Sequence, residues 1–175
     1  KDNLLFALQN LKGKSLIFLN ANYINNLIKR FDFIASIKVK KIYPNTLKLI
    51  IKEKIPIGIY LDEKEKIFIS NRGDYIPFKE IYFYENLPLV IGNKSKFIKL
   101  YLILKSVEFP IHKVKEFHYF NINRWDIVLI NGKRIKLPNQ NLEKILKDFI
   151  SLNKEKTFDK FEIIDYRIKD QLILK

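Results

Sequence analysis

Apolar residues recur at two different periods along this chain, and the switches between those periods mark out its elements. Over residues 2 to 11, "DNLLFALQNL", Leu4, Leu5, Leu8 and Leu11 fall at helical spacing, and Gly13 follows as a C-terminal stop. "SLIFL" (15–19) reads as a short extended piece. "NYINNLIKRF" (22–31) places Ile24, Leu27, Ile28 and Phe31 on one helix face, with Asn22 as the expected N-cap. The period then drops to two. "IKVKKI" (37–42) alternates apolar residues with Lys38 and Lys40, and "LKLIIK" (47–52) alternates again, burying Leu47, Leu49 and Ile51. Between them "YPNT" has the residues of a turn, with Pro44 and Asn45 at its centre. The first 55 residues thus predict helix, helix, strand, turn, strand.

From Pro56 onward the pattern is mostly strands and turns, with two helices. "IGIYL" and "KIFIS" form an expected hairpin around Asp62 to Glu65, and "NRGDYI" is a glycine turn into another strand. "LPLVIG" is a short apolar strand, and "FIKLYLILKSV" is apolar on more than one side, as a well-covered helix is. "VKEFHYFNI" and "RWDIVLI" follow as strands. Asn131-Gly132 joins the second of them to "KRIKL", the signature of a hairpin with a primed turn. "NLEKILKDFISL" sets Leu142, Ile145, Leu146, Phe149 and Leu152 on one face of a helix. "KFEIIDYRI" and "QLILK" close the chain, with a turn near Lys169 and Asp170. No internal repeat or low-complexity segment interrupts this order.

Composition narrows the chemistry. The chain has 175 residues, 47% of them hydrophobic, enough for one domain or two small ones with a packed core. Its net charge is +14, and 28 of its 33 basic residues are Lys. Bidentate phosphate sites favour Arg, so this excess reads first as a solvated basic surface. Residues 1 to 55 carry +8 of the total. Tyr and Phe interleaved with Lys could stack bases, but most aromatics fall at core positions, and nucleic-acid binding is set aside on that ground. There is no Cys, which excludes disulfides and thiolate metal sites. There is also no Met, even at position 1, so the expectation is an excised or processed piece whose signal or anchor lies in what was removed.

No catalytic constellation emerges. The only histidines, His112 and His118, lack neighbours at metal-ligand spacing, and there is no glycine-rich phosphate loop. Asp165, in the apolar stretch "IIDYR", needs a partner if buried, and Arg167, two residues on, is expected to supply it. The expectation is therefore no enzyme, no cofactor and no metal. The distinctive feature is "QLILK", short, apolar and terminal, which suits a sheet edge open to an added strand.

Taken in order, these segments resemble the FtsQ/DivIB family of cell-division proteins. "VKKIYPNTLKLIIKEKIPIGIY" resembles the strand pair of a POTRA domain running directly into the family's β-domain, with Lys40 and Lys41, Tyr43-Pro44, Leu47 to Ile51, Glu53 and Pro56 at the pattern's positions. The Arg usual after that Glu is Lys54. "FISNRGDYI", and then "RWDIVLINGKRIKLP", an amphipathic helix and "IIDYR", resemble the later segments in order and spacing.

The resemblance implies an α+β architecture. Residues 1–55 would form a POTRA domain, two helices on a small sheet whose first strand lies upstream of this chain. Residues 56–175 would form a mainly antiparallel β-domain with two helices. It also implies a scaffold that binds FtsB and FtsL among other divisome proteins and regulates septal peptidoglycan synthesis. That scaffold would sit on the extracytoplasmic (periplasmic) side of the cytoplasmic membrane, at the septum, behind an upstream transmembrane helix. FtsB would add a strand at the last strand, with acidic groups near an Arg. Carried over by position, the binding residues are Arg167, Ile168 (often Tyr in the family), Lys169 and the backbone of Gln171, Leu172, Ile173 and Leu174, with Arg124 before the Trp. Lys38, Lys40, Lys48 and Lys52 would face water or anionic lipid. The rival within the same motif set is a POTRA-bearing component of outer-membrane protein assembly or secretion.

Overall fold

A computed structural model describes residues 2–9, 11–28 and 30–175. The chain divides into two compact units, Lys1–Ile55 and Pro56–Lys175.

In the first unit, helices α1 (Asp2–Gln9) and α2 (Ala21–Ile28) precede an antiparallel hairpin of β1 (Ile34–Ile42) and β2 (Thr46–Glu53). Asn10 and Lys29, which the sequence places in the two helices, lie outside the described residues, as does the packing of Leu5. Helix α2 is capped by Asn20 rather than Asn22: the Asn20 Oδ1 accepts the backbone N–H of Asn22 at 2.9 Å. "SLIFL" is not extended. Leu16 to Phe18 form a turn that sinks Leu16 and Leu19 and leaves the two residues between them outside. The apolar run misleads because its two leucines are anchors of a tight loop, three residues apart.

The hairpin register sorts its residues into two faces. Val39 pairs with Leu49, and Ile37 with Ile51. Leu4, Leu8, Ile37, Val39, Leu47 and Leu49 pack against a core of Leu11, Leu19, Ile24 and Ile28. Ile51 is half-buried on the same face of the hairpin. On the outer face Lys38 pairs with Ile50, Lys40 with Lys48 and Ser36 with Lys52, all exposed. The turn at Tyr43 to Asn45 contains a cis Tyr43-Pro44 peptide.

The second unit is one nine-stranded mixed sheet. Its strands are β3 (Pro56–Leu61), β4 (Lys66–Ser70), β5 (Tyr75–Pro77), β6 (Leu89–Ile91), β7 (Val114–Phe120), β8 (Arg124–Leu129), β9 (Arg134–Lys136), β10 (Ile163–Asp165) and β11 (Ile173–Leu174). Helix α3 (Lys94–Ser106) connects β6 to β7, and α4 (Leu142–Leu152) connects β9 to β10. Across the sheet the order is β11-β10-β9-β8-β7-β6-β3-β4-β5. The two helical crossovers join parallel neighbours, as such connections must, and β3 also runs parallel to β6; the other pairs are antiparallel hairpins.

Both helices cover one face. Phe97, Leu100 and Leu104 of α3, and Leu146 and Phe149 of α4, join Phe117, Trp125, Ile127, Ile135, Leu137 and Ile164 in one core. Phe97 lies 5.1 Å from Phe117 and 6.3 Å from Trp125 between ring centroids. Asn93 caps α3, its Oδ1 accepting from the N–H groups of Ser95 and Lys96. Leu102 of α3 stays exposed, so that helix is less covered than its composition suggests. At Gly92, φ is +101°, and a Cβ would come 2.7 Å from the Tyr119 carbonyl oxygen, so the β6–α3 junction requires glycine twice over.

The Asn131-Gly132 hairpin forms, but its turn is not a primed one. Only Gly132 has a positive φ, +87°. Leu129 N–H donates to the Lys133 carbonyl at 2.8 Å, and Gly132 N–H donates to the Leu129 carbonyl at 3.0 Å. This is a three-residue loop, a tight turn followed by a left-handed glycine. The Asn131 side chain takes the N–H of Lys133, which helps to hold that longer loop.

Candidate partner-binding site

The site begins with the last two strands. Strand β10 sits between β9 and β11, and β11 is the terminal strand of the sheet. Among the described residues no strand pairs with its outer side. Ile163 and Lys175 exchange both backbone hydrogen bonds, at 2.9 and 3.0 Å, and Lys175 also accepts from Glu162 N–H at 2.7 Å. Asp165 lies opposite Ile173, and Ile164 opposite Leu174. In an antiparallel ladder, residues alternate between pairs that exchange both bonds and pairs that exchange none. Lys175 and Ile173 therefore turn their backbone groups toward β10, and Leu174 turns its N–H and C=O outward.

The turn that leads into β11 is held by an ion pair. Asp165, 6% exposed, ends β10. Arg167 Nε donates to its Oδ1 and Oδ2 at 2.7 and 2.9 Å, Arg167 Nη2 donates to Oδ2 at 2.5 Å, and the Arg167 backbone N–H donates to Oδ1 at 3.0 Å. The pair expected along one strand face is thus made differently, by a side chain folding back through a turn after β10 has ended. The guanidinium's hydrogen bonds hold the Asp165 carboxyl below its ordinary range, ahead of an opposing effect from burial. Asp165 in turn raises Arg167. No hydrogen bond engages Arg167 Nη1 among the described residues, and the side chain is 39% exposed. Ile168, Lys169, Gln171 and Leu172 follow on the exposed turn, where Asp170 takes a φ of +58° and Gln171 N–H closes onto the Ile168 carbonyl at 3.2 Å. Ile173 and Leu174 are half-buried.

The sheet face away from the helices carries a row of charge that the sequence reading missed. Asp126 pairs with Lys136, and Lys136 with Asp165, so the three share one line across β8, β9 and β10. Arg124 Nε lies 3.6 Å and Arg134 Nη1 3.9 Å from the Asp126 carboxylate, beyond good hydrogen-bonding range. Asp126 Oδ1 and Arg124 Nε are buried without a hydrogen-bond partner. Burial pushes the Asp126 carboxyl up, against the lowering fields of Arg124, Lys136, Arg134 and Arg167. Four cations therefore surround two carboxylates. The signal was present in "RWDIVL" and "RIK", whose polar positions alternate against the core set.

The structure brings Arg167 to Leu174 together at the edge and leaves Arg124 apart. Arg124 opens β8, three strands in from β11, or roughly 14 Å at ordinary strand spacing. Its guanidinium stacks 4.5 Å from the Phe120 ring centroid. His118 lies within β7 and shares a 2.7 Å hydrogen bond with Glu116 Oε2, while His112 is exposed on a single 3-10 turn. Among the described residues no group of three or more His, Cys, Asp or Glu could hold a metal ion, and no helix is long and apolar enough to cross a membrane.

Comparison with known proteins agrees with this architecture. Residues 1–54 match the description "POTRA domain, FtsQ-type", and residues 59–167 match "Cell division protein FtsQ/DivIB, C-terminal". Strand β11 lies past the second match. A cell division protein FtsQ of Rickettsia bellii (strain RML369-C) is 29% identical over 168 residues, 94% of this chain and 62% of its own length. Another, of Rhizobium radiobacter, is 26% identical over 177 residues, 98% of this chain and 84% of its own length. A similar solved structure is the major extracytoplasmic domain of the trans isomer of the cell division protein DivIB from Geobacillus stearothermophilus. Its TM-score is 0.42 at 12% identity, covering 58% of this chain and 92% of that one. With a family match over most of the second unit and an FtsQ-type POTRA match over the first, the chain belongs to the FtsQ/DivIB family of cell-division proteins.

Proposed function

We propose that the chain is a non-enzymatic scaffold of the division machinery that captures FtsB, together with FtsL, by strand addition at β11. It would work on the extracytoplasmic side of the cytoplasmic membrane, at the septum, held by an upstream transmembrane helix. Through these partners it would recruit and regulate septal peptidoglycan synthesis. The observation that carries this reading is the position of β11, the end strand of a nine-stranded sheet, with the backbone groups of Leu174 turned away from β10. Main-chain hydrogen bonds to an incoming strand supply affinity there, and flanking side chains supply selectivity. The surplus of cations around Asp126 and Asp165 favours an acidic partner next to the added strand. Isothermal calorimetry with the outer-face segment of FtsB from the same cell tests it. Binding by the native chain and its loss in Arg167→Glu and Leu172→Pro support the reading. Full binding by both variants would remove the site from the β11 edge.

A second observation favours contact between the first unit and an anionic membrane surface. Lys38, Lys40, Lys48 and Lys52 share the exposed face of the β1–β2 hairpin, and Lys40 stands directly opposite Lys48. Like charges so placed repel, and an anionic surface relieves that repulsion. Basic residues beside such a surface gain about 1 kcal/mol each. Equal flotation of the chain with neutral and anionic vesicles would overturn this contact.

A further inference from the structure

The loop between α1 and α2 has a shape that the hairpin lysines do not account for. Leu16 and Leu19 are buried as its two anchors, while Ile17 and Phe18 between them are 71% and 87% exposed. The Ser15 hydroxyl accepts the N–H of Ile17, and the Asn20 carbonyl and side chain start α2, so the loop is held at both ends. Two adjacent large apolar residues are thus presented outward from a fixed base. Lys12 and Lys14 precede them and are exposed, with Lys14 Nζ 5.4 Å from the Tyr23 ring centroid. Between Asp2 and Asp32 the sequence contains no carboxylate.

We infer that Ile17 and Phe18 form a wedge that enters the headgroup region of an anionic bilayer, with Lys12 and Lys14 on the lipid phosphates around it. An exposed apolar tip with basic residues close by in the chain suits an interface of this kind. The side chains leave water for the acyl boundary, and the ammonium groups remain at the level of the phosphates. The +8 charge of residues 1 to 55 complements an anionic membrane. A protein groove would also accept an apolar tip, but a loop drawn from a stretch with no carboxylate and with two lysines just before the tip matches a phosphate-rich surface better. The inference rests on the reading that the first unit meets an anionic membrane, and it adds the depth and the residues of the contact.

The test uses the whole chain with vesicles of neutral phosphatidylcholine, and with the same lipid mixed with phosphatidylglycerol. Partition onto the mixed vesicles should fall roughly tenfold in Ile17→Ser/Phe18→Ser. It should fall roughly fivefold for each charge removed in Lys12→Gln and Lys14→Gln. A Phe18→Trp chain, with Trp125→Phe removing the buried native indole, reports depth directly. Its fluorescence should be quenched by lipids brominated near the headgroup. Native binding to anionic vesicles with an unquenched Trp at position 18 would overturn the wedge while leaving the membrane contact standing. Failure of the native chain to bind either vesicle would overturn both. If the serine variant instead keeps its vesicle binding and loses binding to FtsB, the tip is a protein contact and the wedge is wrong.

Discussion

Ile163 and Lys175 exchange both backbone hydrogen bonds, and this fixes which backbone groups of β11 remain available to another chain. Counting back along the strand, Ile173 faces β10 and Leu174 faces out. The edge therefore contains adjacent positions with opposite roles.

That alternation gives a sharp test of strand addition. Leu174→Pro removes an outward donor and should weaken partner binding about tenfold or more while leaving the thermal midpoint nearly unchanged. Ile173→Pro removes a donor used by β10 and should lower the thermal midpoint as well. Calorimetry paired with thermal unfolding separates the two. Equal binding by native chain and Leu174→Pro would argue against an added strand.

The Asp165–Arg167 pair makes stability depend on pH in a definite direction. The Asp165 carboxyl is lowered in the folded chain, mainly by the Arg167 hydrogen bonds. Its contribution is complete above the ordinary aspartate value of 3.8 and is lost as pH falls through the lower folded value. Arg167→Ala should bring the Asp165 titration, followed by NMR, back up toward the ordinary range, with the backbone N–H of residue 167 and the field of Lys136 still opposing burial. The half-exposed guanidinium limits the cost of that substitution to about 1 kcal/mol at neutral pH.

Asp126 works in the opposite sense. Burial raises its carboxyl, so its charged form costs stability at neutral pH, and protonation on acidification relieves that cost. Asp126→Asn should be neutral or stabilising by up to about 1 kcal/mol in urea unfolding at pH 7. A clear loss would mean that Arg124, Arg134 and Lys136 depend on its charge more than burial opposes it.

Gly92 should tolerate nothing larger. Alanine meets both an unfavourable φ and the Tyr119 carbonyl, and Gly92→Ala should cost about 2 kcal/mol or more. Gly132→Ala, also at positive φ but with open space around it, should cost only about 1 kcal/mol. Comparing the two in one denaturation series isolates the steric part.

Strands such as β1 and β2, and helix α4, were legible because each buries a single face, and burial imposes a period. Val39 and Leu49, or Trp125, Ile127 and Leu129, reveal their elements directly. The details that escaped depend on groups distant in sequence or on a choice among closely similar turns. Asn20 and Asn22 are both good caps, and only the geometry of the preceding turn selects Asn20. Asn131-Gly132 suits two loop lengths, and the pairing of Leu129 with Lys133 selects the longer one. The charged line through Asp126, Lys136 and Asp165 joins three strands, one of them reached only after a helix, so no local window contains it. At the edge, local apolarity pointed to "QLILK" correctly as a short terminal strand. The outward turn of Leu174 required the register with β10.

The sheet order has a consequence for synthesis. Strands β3 to β5 occupy one end of the sheet, and the later strands extend it step by step to β11, the last of the nine to be synthesised. The edge proposed to capture a partner comes into being only when everything before it has been laid down. A nascent or prematurely ended chain would present β10 or β9 instead, with a different set of side chains beside a different backbone register. A partner that recognised β11 would thereby distinguish chains whose sheet holds all nine strands from chains that still lack its last one.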